Sequence, residues 1–86
     1  MAGVAFNKEE ARWHRQRASV WAGYARDWEE MMRDRLAEVG RTQAGTMWHQ
    51  HHATEAADVA IRAAECWDIC GTHLADARLY ERALGW

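Results

Sequence analysis

Residues 7–45 read NKEEARWHRQRASVWAGYARDWEEMMRDRLAEVGRTQAG, a long run without proline followed by a short connector of glycine and polar residues. Asn7 with Glu10 three residues on has the form of a capping box, which places the start of a first helix at about residue 8. Trp13, Val20, Trp21, Tyr24, Trp28, Met31, Met32, Leu36 and Val39 recur at three and four residues, the period of one helical stripe. Arg26 with Glu30 and Glu29 with Arg33 stand four apart and support a solvated outer face. The stripe ends near Val39, and Gly40 to Gly45 is the clearest break in the chain, with Thr46 available to cap the next helix.

Beyond the connector, a second helix is expected over about residues 47–70, with alanines 53, 56, 57, 60, 63 and 64 along it. Gly71 followed by Thr72 resembles a C-terminal glycine and a new N-cap, giving a short third helix over about 72–84; one long kinked helix is the alternative. The chain therefore reads as a single all-α domain, residues 1–86. It is an antiparallel hairpin of helices at about 8–39 and 47–70, joined by a connector at 40–46, plus the short C-terminal helix. Folding the hairpin at its connector pairs residues whose numbers sum to roughly 86, by helix geometry. That register sets Trp28 against Ala56 or Ala57, Trp21 against Ala64, Trp48 against Ala37, and Trp67 against Ala18 or Ala22, large against small.

Composition supports this reading. The 86 residues include six tryptophans and no proline, and the hydrophobic fraction of 49% contains 17 alanines but only ten Val, Leu or Ile. Tryptophan is thus expected to fill the space that leucine usually fills. A chain this short buries only about 60% of its unfolded surface, so its own core is limited. Net charge is −2, from 11 basic and 13 acidic residues intermixed, which gives no overall attraction to nucleic acid. No 18-residue apolar run and no export leader is evident, so a cytoplasmic protein without a membrane association is expected.

Four constellations could carry chemistry. Cys66, Cys70 and His73 share a helical face, and the hairpin register brings His14 near them; this is a candidate Zn²⁺ site. Two cysteines within one helix do not suit a disulfide, and their plainer reading is as small core hydrophobes. The run His49-Gln50-His51-His52, with Glu55 four residues beyond His51, reads first as a solvated polar turn, with metal binding or pH response as alternatives. Arg12, His14, Arg15 and Arg17 beside Trp13 form a basic run, more simply a solvated face than a phosphate contact. Ser19, the only serine, lies mid-helix, no nucleophile motif, phosphate loop or His-Glu-x-x-His is present, and paired acids such as Glu29 and Glu30 face outward, so no enzymatic activity is expected.

Trp21-Ala22-Gly23 is similar to the Trp-x-Gly signature of the small helical-hairpin proteins exported by type VII secretion. There it sits in the turn, whereas here it lies inside the first helix. The cysteine and histidine content is similar to that of zinc-binding anti-sigma factors, with the order reversed. Neither resemblance assigns a role to any residue. Alanine, arginine and tryptophan richness fits a GC-rich genome, such as that of an actinobacterium, its phage or a plasmid.

A single seam between two helices cannot take every aromatic side chain. Trp13, Tyr24, Trp67, Tyr80 and Trp86 are therefore expected at an interface, either with a second copy in a four-helix bundle or with another protein. The expected function is a protein–protein interaction or assembly module. The alternatives are a Zn²⁺-dependent regulator and a small DNA-binding regulator.

Overall fold

A computed structural model describes residues 2–85, with side chains from residue 8 onward. The described chain is two long helices, α1 (Ala2–Arg41) and α2 (Met47–Leu84), packed as a hairpin. Helix α1 runs through Asn7 rather than starting there. Once a helix is nucleated each added residue costs little, and the alanine-rich start contains no proline to stop it. At its other end α1 passes Gly40, and the residue that turns left-handed is Gly45, at φ 86°.

The cap of α2 is as the sequence predicts. The His49 amide donates to Thr46 Oγ1 at 3.2 Å, and the Gln50 amide opens the helical ladder on the Thr46 carbonyl at 3.2 Å. Thr46 Oγ1 donates in turn to the Gln43 carbonyl at 2.7 Å. Thr42 Oγ1 donates to the Val39 carbonyl at 3.0 Å, satisfying one of the last carbonyls of α1.

The short third helix is not formed, because α2 continues without interruption to Leu84. Two details explain the difference. Gly71 lacks the positive φ that a terminal glycine adopts; the glycine that takes it is Gly85, at φ 77° beyond the last turn. Thr72 does not cap a new helix, since its hydroxyl donates backwards to the Asp68 carbonyl at 3.0 Å, a bond available only inside a continuing helix. A glycine inside a helix weakens it by about 1 kcal/mol, too little to break one held by packing.

The chain forms two compact units, each made from a piece of both helices: Met1–Gly23 with Trp67–Trp86, and Tyr24–Cys66. In the first, Ala18, Ala22 and Cys70 form a buried cluster onto which Trp21 and Leu74 pack, and Ala11 and Ala77 are buried as well. In the second, the buried residues are Ala25, Ala56, Val59, Ala63 and Cys66.

This core departs from the expectation that tryptophan replaces leucine. Among the described residues no large side chain is fully buried, whereas Ala25 and Ala77 are both 0% exposed. Much of the apolar stripe read from the sequence faces outward: Trp13, Tyr24, Met31 and Leu36 are all exposed. The inward positions are instead small residues at a seven-residue spacing, namely Ala11, Ala18 and Ala25 on α1 and Ala56, Ala63, Cys70 and Ala77 on α2. A seven-residue repeat keeps one line of each helix turned toward its neighbour, and small side chains there let the two backbones approach.

With small residues along the seam the expected large-against-small pairs change, and Trp21 packs half-buried against the Ala18, Ala22 and Cys70 cluster. Cys70 and Leu74, rather than Trp67, meet the Ala18 and Ala22 region. Trp28 lies under the Arg62 guanidinium, 5.4 Å from its ring centre, and Trp48 is exposed. Cross-helix pairs such as Arg35 with Glu55 and Trp28 with Arg62 lie about one helical turn beyond the expected register.

Candidate functional site

The densest cluster of chemically capable side chains lies in the first unit, where His14 of α1 meets His73 of α2. Their Nδ1 atoms are 2.9 Å apart, across 59 residues of sequence. A contact of that length between two imidazoles needs one ring to donate and the other to accept. Three aromatic contacts fix the rings: Trp13 stands edge-on to His14 at 4.9 Å and to His73 at 5.5 Å, and Tyr80 stacks on His14 at 5.7 Å with 15° between planes. On its other side, His14 Nε2 lies 3.7 Å from Glu10 Oε2, one turn earlier on α1. The His14 side chain is only 12% exposed, so the pair sits largely out of water, while Trp13 beside it remains half exposed.

Next to this cluster Arg15 grips Glu81 with two parallel bonds, Nε to Oε1 at 2.6 Å and Nη2 to Oε2 at 2.9 Å. The fork geometry matches carboxylate to guanidinium. Hydrogen bonding from Arg15, reinforced by its charge, holds the Glu81 carboxyl below its ordinary range, and the same contact raises Arg15. Arg15 is thus engaged within the protein, which removes one cation from the basic run read at Arg12, His14, Arg15 and Arg17.

Of the four proposed zinc ligands, only His14 and His73 come together. Cys66 and Cys70 are buried free thiols, and among the described residues no three His, Cys, Asp or Glu side chains converge as a metal-holding group. The helical spacing of 66, 70 and 73 is real, but the cysteines occupy the inward line of α2 and pack as small apolar residues.

The second histidine cluster belongs to the turn end and stays local. His49 Nδ1 lies 3.2 Å from Thr42 Oγ1, His51 Nε2 lies 3.1 Å from Glu55 Oε1 on the next turn, and Trp48 stacks on His52 at 6.4 Å. Glu55 also meets Arg35 of α1 at 2.8 Å, tying the two helices. His51 and His52 also meet edge-on with ring centres 5.5 Å apart, and Trp48 touches both, so the run forms a local aromatic cluster.

The expected interface residues divide. Trp13, Tyr24 and Trp67 are exposed by 50%, 48% and 37%, Tyr80 is half-buried against His14, and Trp86 lies outside the described residues. Further exposed apolar side chains, Met47, Trp48, Ile61 and Leu79 among them, escape the sequence reading. The signal that finds them is the seven-residue alanine spacing, which assigns the seam to small residues and so the large ones to the outside. No described helix is long and apolar enough to cross a membrane. Comparison with protein family models, with curated proteins and with solved structures finds no match for this chain, so its function must be read from its own geometry.

Proposed function

We propose that this protein is a helical assembly module that self-associates, two hairpins completing a four-helix bundle. The observation that supports it is an inversion of the usual burial order: alanine and cysteine lie inside while tryptophan, tyrosine, methionine and isoleucine lie outside. Scattered exposed apolar residues are ordinary, but a chain of this size that leaves three tryptophans more than a third exposed forgoes about 1.5–3 kcal/mol for each large side chain it could bury.

Surface area points the same way. The chain exposes 6189 Å², against about 5200 Å² for an average folded monomer of its 9.9 kDa mass. The surplus is close to the roughly 800 Å² that each partner gives up in a standard interface. Within the second unit Tyr24 and Met31 are seven residues apart, the spacing of a single face of α1, and aromatic and methionine side chains are the types enriched at interface centres.

The test is native mass spectrometry with sedimentation at tens of micromolar. A dimer or higher oligomer that dissociates in a W13S/Y24S double variant, with helicity retained, is the expected outcome. A wild-type chain that stays strictly monomeric across that range removes the reading.

A further inference from the structure

We propose that His14 and His73 form a pH-sensitive latch between α1 and α2: their hydrogen bond holds while the pair carries at most one positive charge and parts when both rings are cationic. Both rings come from one chain and one unit, so the device does not rest on self-association.

The contact is head-on. The ring centres are 5.2 Å apart and the two Nδ1 atoms 2.9 Å apart, so the nitrogens point at each other and a single hydrogen fills the line between them. Trp13 abuts both rings and Tyr80 stacks on His14, which restrains the rings from turning aside. Little water reaches the His14 side chain to take over a lost bond.

Few charges surround the pair. On α1, Glu10 faces His14 Nε2 at 3.7 Å, while the neighbouring Arg15 is held by Glu81 of α2 and the two neutralise each other. On α2, Tyr80 is the titratable group against the His14 ring. Arg17 and Asp76, half-buried one turn beyond His14 and His73, are of opposite sign. Glu10 is therefore the carboxylate at the latch, and it offsets one cation.

The proton count follows from the two nitrogens of each ring. In the neutral pair Glu10 favours a hydrogen on His14 Nε2, which leaves His14 Nδ1 as the acceptor and His73 Nδ1 as the donor. A first added proton enters at His73 Nε2; the hydrogen between the rings is undisturbed, and the bond becomes charge-assisted. A second proton has only the shared Nδ1 lone pair to occupy. Two N–H groups would then meet where one fits, with like charges on both rings, so the rings must part. The unfolded chain takes a proton on each histidine around the ordinary imidazole value of about 6.5. The closed latch thus holds one proton fewer than the unfolded chain in mild acid, and stability is lost as pH falls.

The experiment follows urea unfolding of the full chain at one protein concentration between pH 7.5 and 5, with ring-nitrogen NMR on the same samples. From pH 6 to 5 the unfolding constant of wild type should rise up to about tenfold more than that of H14Q or H73Q, in which the remaining ring titrates alone. An H49Q/H51Q/H52Q variant, which removes the other histidines, should keep the full acid loss. At pH 7.5 the wild-type spectra should show a nitrogen–nitrogen coupling across the Nδ1–H···Nδ1 bond, which should vanish as the second ring becomes cationic. An equal acid loss in folded H14Q or H73Q overturns the proposal. So does a wild-type spectrum in which both rings are cationic while the amide signals of the folded protein stay unmoved, a result that needs no variant.

Discussion

The two units of this protein solve the same packing problem with different side chains at their margins. Both bury small residues, Ala11, Ala18, Ala22, Cys70 and Ala77 in one and Ala25, Ala56, Val59, Ala63 and Cys66 in the other. In the first, the helices are joined by residues far apart in sequence, His14 with His73 and Arg15 with Glu81. In the second, Arg35 with Glu55 and Arg62 over Trp28 join them, and three histidines crowded into four positions make contacts with side chains close to them in sequence. Histidines close along one helix thus meet one another and their sequence neighbours, while single histidines on two facing helices tie the helices together.

The largest effects should come from enlarging the seam. Ala25→Leu in one unit and Ala77→Leu in the other each insert bulk where no surface is exposed, and each should cost about 1–3 kcal/mol in urea unfolding. Ala57→Leu, at an exposed position, should be close to neutral. If Ala25→Leu and Ala77→Leu prove as harmless as Ala57→Leu, close helix approach is not what holds either unit. A smaller and opposite effect is expected from Gly71→Ala. A Cβ there meets nothing within 4 Å, and the helical backbone accepts it, so stability should rise by about 0.5–1 kcal/mol. A loss instead would mean that Gly71 ends a helix, restoring the expected third helix.

Smallest is the Arg15–Glu81 pair, which is exposed. The Glu81 carboxyl is held below its ordinary value in the folded protein, so its contribution is present above the unfolded carboxylate range and fades as pH falls through the folded value. Wild type should melt slightly above Glu81→Gln at pH 7, and the gap should close below about pH 4. A gap that persists in acid would show that the substitution disrupts packing rather than charge pairing.

What the sequence makes legible follows from how local each feature is. The long helices, the connector and the Thr46 cap are readable because period, proline absence and capping chemistry act within a few residues. The start at Asn7 and the break at Gly71 mislead for the same reason: a local signal for stopping is outweighed by continuation and by packing against the facing helix. Tryptophan reads as inward because single-residue hydrophobicity suggests it. The distance between helices is set by the smallest residues that repeat, and that is a property of Ala11, Ala18 and Ala25 taken together. The meeting of His14 and His73 follows from the hairpin register, since their numbers sum to 87 against the expected 86; the one-turn offset belongs to Arg35 with Glu55 and Trp28 with Arg62. The burial of Cys66 and Cys70 does not, since helical spacing does not say which line of the helix turns inward.

Those two cysteines give the molecule its own reporters. Cys66 falls in one unit and Cys70 in the other, both 6% exposed. A thiol reagent can reach either sulfur only while the facing helices part locally, so the labelling rate at each becomes a clock for the opening of its own unit. With Cys70→Ala or Cys66→Ala leaving one clock at a time, the same reagent would time the opening of the unit holding the histidine pair and of the turn-end unit independently.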